Sequence, residues 1–167
     1  MILAAVLTLT PCASSLQAQV LDLAPEWRIR NRGGSCGHCS TAMHLRWLQQ
    51  FDKADRWWST YRGGEHFQRH LARLRRAGVK FIYTDSGDTR IIDYAIRSRR
   101  GAIIYDVPFH IRNLQGERNG SVLVLDNNLI SRLQPIERRR WERRWQQVSG
   151  IAIVIISGSP PPPVPES

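Results

Sequence analysis

The chain has 167 residues, 42% of them hydrophobic, which is enough for one domain with its own core. Its 24 basic residues against 14 acidic give a formal charge of +10, and all the basic ones except Lys53 and Lys80 are Arg. The Arg excess is spread over nearly every predicted helix, as on solvated faces, so nucleic acid is not the expected partner. No run approaches the ~18 apolar residues of a membrane span.

Residues 1–19, MILAAVLTLTPCASSLQAQ, carry no charged side chain. The apolar run over 2–9, followed by small and polar residues, reads as a secretory signal peptide without the usual basic residue near its start. A secreted or periplasmic location follows if that reading holds, and a cytoplasmic one otherwise. Removal of the leader takes Cys12 with it and leaves Cys36 and Cys39, too close together to staple a fold. Their role is therefore sought in chemistry.

A helix is expected over 37–51, where Ala42, Leu45, Leu48 and Phe51 recur near the helical period and Arg46, Gln49 and Gln50 face out. Gly33-Gly34 allow a tight turn into its start. Two more helices are expected over 53–61 and 65–77, the latter with Phe67, Leu71 and Leu74 inward and Gly78 as its stop. Residues 79–84 alternate like a strand, Asp88 is a natural N-cap for a helix over 89–99, and Gly101 opens a strand over 102–107. A further strand begins near 109–111, and turns at Gln115-Gly116 and Asn119-Gly120 lead to a strand over 121–125. Pro135 is expected to start a short helix carrying ERRRWERRW, with Trp141 and Trp145 on one face and Glu137 and Glu142 as partners for neighbouring Arg. A last strand over 151–156 precedes the tail PPPPVPES, read as disordered or polyproline. Helices first and then mostly strands indicate an α+β domain with an antiparallel sheet over 20–157, and a proline-rich tail over 158–167.

The stretch SCGHC at 35–39 admits three chemistries. A redox C-x-x-C at a helix start would use one thiol to attack and the other to resolve. The βαβ unit that a thioredoxin-like fold needs beforehand has no room here, Ser35 stands where Trp is usual, and no proline lies between Pro25 and Pro108. A zinc site would join Cys36 and Cys39 to His66 and His70, but a whole predicted helix separates the pairs, and a His pair on an Arg-rich helix is usually a solvated face. No metal and no cofactor is expected. Nucleophilic catalysis needs a thiolate at a helix N-terminus, an imidazole partner and a group that orients the imidazole. His38, His44, His66 and His70 lie in the helical half, whereas His110 starts a strand and Asp126 ends the next one, 16 residues later. Antiparallel pairing puts both at one rim of the sheet.

A helix-start Cys, a distant strand His and an Asp soon after it resemble the papain-like cysteine peptidases, with spacing most like the double-glycine, bacteriocin-processing peptidase domains of ABC transporters. NRGGSCGHCSTAMHLRW, with YRGGE, YTDSGD and VLDNN downstream, is similar to uncharacterised small relatives whose nucleophile lies in G-S-C-x-H-A-S. The likeness spans residues 28 to about 157. It implies a papain-like fold and a hydrolase of peptide or amide bonds acting through a thioacyl intermediate, with Cys36 as nucleophile, His110 as its partner and Asp126 as the orienting group. Asn127 or Asn128 is the alternative orienting residue. Aligning to the papain string G-S-C-G-S-C-W would select Cys39 instead. The family's oxyanion Gln sits six positions before the nucleophile, where this chain has Arg30, so Asn31 with the Cys36 backbone N–H is the expected oxyanion pair. His38 is expected to cap or contact the site. The implied partner is a peptide or protein substrate, and the chain is expected to be a monomer. Thiol-disulfide exchange through CGHC, and a catalytically inactive basic binding module, are the competing functions.

Overall fold

A computed structural model describes residues 23–60 and 66–162. The expected leader, the junction at 61–65 between the second and third predicted helices, and the last residues of the tail lie outside them. Among the described residues, eleven α-helices and strands follow in chain order: α1 (Cys36–Trp47), α2 (Phe51–Ser59), α3 (Phe67–Arg76), β1 (Phe81–Thr84), α4 (Arg90–Arg97), β2 (Ala102–Val107), β3 (His110–Arg118), β4 (Ser121–Asp126), β5 (Leu129–Glu137), α5 (Arg138–Val148) and β6 (Ile151–Ile155). A short 3-10 turn at Pro25–Trp27 precedes them.

The strands form one antiparallel sheet in the order β1-β6-β2-β3-β4-β5, the α+β architecture expected. Successive side chains of a strand point to opposite faces, and the central strands are apolar on both. Ile103, Ile111, Leu125 and Ile153 pack under α1, α2 and α3, while Ile104, Leu114, Val124 and Val154 pack against α4 and α5. Trp141 and Trp145, one turn apart on α5, are buried and stacked with centroids 5.4 Å apart.

Several local expectations are corrected. The first helix ends at Trp47, because Gln49 takes a left-handed φ of 58°, so Phe51 opens α2 and is 43% exposed. Gln115-Gly116 is no turn: it lies within β3, where the pairing with β4 shifts register, and only Asn119-Gly120 turns, with φ of 50° and 71° as a two-residue hairpin demands. Pro135 does not start a helix but sits within β5, an edge strand on which a missing N–H is tolerated. Helix α5 starts at Arg138, with the Glu137 carboxylate accepting from the N–H groups of Arg139 and Arg140 rather than pairing with an Arg side chain. Finally, His70 is buried, not solvated: its two ring nitrogens hydrogen-bond the Thr41 and Tyr105 hydroxyls, each at 2.8 Å. Residues 158–162 are irregular, and the carbonyls of Gly158 and Pro161 accept from Arg100 and Arg99.

Candidate active site

Gly33 and Gly34 both take positive φ, 60° and 79°, and turn the chain so that Cys36 is the first residue of α1. The two-residue turn Pro108-Phe109 starts β3 at His110, and β4 ends at Asp126 on the neighbouring strand. Helix start and strand ends meet at one rim of the sheet. The Cys36 thiol and the His110 ring lie side by side there, close enough for each to shift the other's titration. On the far side of the ring, His110 Nε2 donates to Asp126 Oδ1 at 2.8 Å, which leaves Nδ1 for the thiol.

Charge follows from this geometry. Burial disfavours the Cys36 thiolate, but the His110 bond, the backbone N–H groups of Ile111 and Gly37 and the imidazole charge outweigh it, so the thiol titrates below its ordinary value. The bond to Cys36 raises His110 above the usual imidazole range; burial opposes this, and Asp126 adds to it. Burial likewise opposes the Asp126 carboxylate, but His110, the Asn128 N–H and the Arg112 charge together hold it below the ordinary carboxylate value. All three shifts run in the direction of a thiolate–imidazolium pair backed by a carboxylate.

Arg112, two residues after His110 on the same strand, was not anticipated. It is buried, donates from Nε to Asp106 at 2.9 Å and from Nη1 to Gln134 at 3.1 Å, and places Nη1 3.9 Å from Asp126 Oδ2. Asp106, fully buried, also accepts from Trp141 Nε1 at 2.8 Å. The alternation of strand side chains was the signal that would have placed Arg112 with His110.

The remaining candidates fall elsewhere. Cys39 is fully buried; burial pushes its thiol up, and Sγ lies 3.5 Å from Ser35 Oγ and 3.7 Å from the Arg30 carbonyl. His38 points away from the thiol: its Nε2 meets the Trp58 carbonyl at 3.1 Å, and its ring stacks between Trp57 and Trp58. Arg30 borders a different hollow, with Glu26, Arg28 and Trp58. Asn31, expected as an oxyanion donor, is bound up in the loop. Its Oδ1 accepts from Ser35 N at 2.7 Å and from Ser35 Oγ, and its Nδ2 donates to Asn128 Oδ1 at 2.9 Å. Asn128 Nδ2 lies 3.3 Å from His110 Nε2, farther than Asp126, while Asn127 bonds other groups and not the ring.

Beside the thiol opens a groove of about 850 Å³. His66 and Phe67 from the start of α3, Tyr105, Val107, Pro108 and Phe109 from the β2–β3 hairpin and Val148 from the end of α5 wall it. Phe109, at φ 57°, has 106% of its reference surface in solvent. None of these apolar liners was anticipated, since three separate segments contribute them.

No protein-family model matches the chain, and no curated protein matches it. Solved structures do. A double-glycine motif protease from an AMS/PCAT transporter, determined with the leader peptide, superposes at TM-score 0.52 with 16% identity, covering 88% of this chain and 96% of that one. A C39-like peptidase from Bacillus anthracis gives 0.58 at 16% identity, covering 86% and 99%. This is the papain-like cysteine peptidase fold. The peptidase domain of Streptococcus ComA shares it at 12% identity and TM-score 0.51, covering 80% and 96%. As expected for this fold, α1 carries Cys36 against the sheet. Among the described residues no helix is long and apolar enough to cross a membrane.

Proposed function

We propose that the protein is a cysteine-type hydrolase of peptide or amide bonds, with Cys36 as nucleophile, His110 as general acid and base and Asp126 as the orienting carboxylate. The observation that carries this reading is the meeting of three side chains at one rim of the sheet: the Cys36 thiol at the start of α1, the His110 ring beside it, and Asp126 hydrogen-bonded to that ring at 2.8 Å. In the proposed cycle the Cys36 thiolate attacks the substrate carbonyl carbon. The oxyanion forms at the start of α1, where backbone N–H groups point outward and the helix dipole favours negative charge. The His110 imidazolium then gives its Nδ1 proton to the leaving amine, and a Cys36 thioester remains. His110 next takes a proton from water, the hydroxide attacks the thioester, and the acid product leaves with the thiolate–imidazolium pair restored.

The groove of about 850 Å³ and its liners Phe67, Tyr105 and Phe109 fit a peptide that presents a bulky apolar side chain next to the cleaved bond. That one structural neighbour was solved with a leader peptide is in keeping with a peptide substrate.

Iodoacetamide labelling of the full chain across pH 4–9, resolved by peptide mapping, tests the reading in wild type, Cys36→Ala, Cys39→Ala and His110→Ala. The expected result is one fast-reacting thiol at Cys36 whose low-pH reactivity disappears with His110 and survives loss of Cys39. Reactivity that ignores His110 but needs both cysteines would replace the hydrolase with redox chemistry.

A further inference from the structure

We propose that Asn127 is a positioning residue: its side-chain amide clamps the start of α1 to the start of β3 and thereby sets the approach of Cys36 to His110. The proposal rests on the Cys36–His110 reading above and adds a residue that touches neither reacting atom. Asn127 is fully buried in the two-residue turn between β4 and β5. Its Nδ2 donates to the Ile111 carbonyl at 2.8 Å, the Cys36 carbonyl at 3.1 Å and Ser40 Oγ at 3.1 Å. Both carbonyls only accept, so the nitrogen must face them, and the orientation of the amide is fixed. One NH₂ group thus joins the backbone of the thiol residue to the backbone of the residue beside His110.

The turn around it works on the same site. Asp126 holds the His110 ring, and the Asn127 carbonyl accepts from Asn31 N at 2.7 Å, which pins the loop before α1. Asn128 Oδ1 takes the Asn31 side-chain amide. Three consecutive residues therefore hold the imidazole, the thiol-bearing helix and the entering loop.

The clamp has a cost that packing alone does not explain. Asn127 Oδ1 is buried with no hydrogen-bond partner among the described residues, a state that is generally unfavourable by about 1–3 kcal/mol. An apolar side chain would avoid that penalty but could not bridge the two carbonyls. The charged or titratable groups around the thiol are His110 from β3, Asp126 with Arg112 behind it, and Cys39 one turn along α1; Asn127 adds no charge to them.

The test is the pH profile of Cys36 alkylation by iodoacetamide in the full chain, read by peptide mapping beside a thermal melt. Asn127→Ala is expected to label about tenfold to hundredfold more slowly at neutral pH, the loss that ~1 Å of misplacement brings, with its midpoint moved up towards an ordinary thiol. Asn127→Ser, which keeps a turn-forming donor too short to bridge, should shift in the same direction by less, and decides the matter if the alanine variant does not fold. Asn113→Ala is the control. It removes another fully buried amide of the α1–β3 interface, one that donates to the Ser40 carbonyl at 3.1 Å, and should lower the melting temperature while leaving the Cys36 profile in place. A wild-type profile in the Asn127 variants, or an equal shift in Asn113→Ala, would overturn the clamp. A wild-type thiol indifferent to His110→Ala would overturn the hydrolase reading itself and the clamp with it.

Discussion

Asp126→Asn isolates the charge of the proposed orienting group from its shape. Asp126 Oδ1 accepts both His110 Nε2 and the Asn128 N–H, each at 2.8 Å, and an asparagine retains that oxygen. The change falls on the other atom, where an NH₂ replaces Oδ2 at 3.9 Å from Arg112 Nη1 and meets the guanidinium donor to donor. Opposite charges ~4 Å apart attract by about 1 kcal/mol in water and about 4 kcal/mol at an effective dielectric of 20. With His110 and Asp126 side chains only 14% and 18% exposed, the pair lies between these limits, at about 2 kcal/mol or roughly thirtyfold in the thiolate–imidazolium population. The sign is fixed by direction. Asp126 raises His110, so removing its charge lowers the imidazolium, and the weakened imidazolium in turn raises Cys36. The pH window between the two should narrow from both sides. Site-resolved alkylation rates from pH 4 to 9 measure both edges. A profile within threefold of wild type at every pH would refute the reasoning, because it would mean that the carboxylate charge does not reach the thiol.

Three further outcomes are expected. Phe109→Asn should keep or raise the melting temperature, since Asn tolerates the left-handed φ of 57°, while raising KM for peptides with bulky apolar residues and sparing kcat; an unchanged KM would remove Phe109 from substrate binding. Gly150→Ala should destabilise the fold by more than ~2 kcal/mol in urea titrations, because at φ 61° its Cβ would lie 2.5 Å from Gly87 N, a backbone atom with no room to yield. Acid should weaken the fold before the carboxylates titrate. Burial lowers His44 to about 4 and His70 to about 3, so the unfolded chain takes up protons below ~6.5 that the folded chain refuses, and stability falls as pH drops from ~6.5 towards 4. His70→Gln should flatten that slope by about 1.4 kcal/mol per pH unit, and denaturant titrations at pH 7, 5.5 and 4 that give parallel slopes for both proteins would contradict the assignment.

Local rules account for the parts of the fold and site that were legible in the residues. The Asn119-Gly120 turn fixes a two-residue hairpin, the hairpin fixes antiparallel pairing, and pairing brings the start of β3 to the end of β4, so His110 meets Asp126. Strand β5 escaped because SRLQPIE has neither alternation nor the absence of proline that marks a central strand; its edge position removes both requirements. His70 was legible in principle: it lies three residues from Phe67 and four from Leu74, on the apolar stripe, yet His and Arg neighbours made that face look wet. Asn127 was not legible. DNN between strands reads as an exposed turn, and only contacts with Cys36 and Ile111, 91 and 16 residues away, turn it inward.

The two cysteines of CGHC are not equivalent in the fold. Both sit near the start of α1, Cys36 as its first residue and Cys39 one turn along, so position on the helix alone separates them little. The direction each side chain takes separates them. Cys36 faces the rim, where an imidazole, two backbone N–H groups and a groove converge, and burial is overcome. Cys39 faces inward beneath Ser35 with carbonyl and hydroxyl oxygens for company, and burial wins. On the proposed reading, the chemistry of the motif lies in what surrounds Cys36, His110 and Asp126 above all, rather than in the spacing of its cysteines.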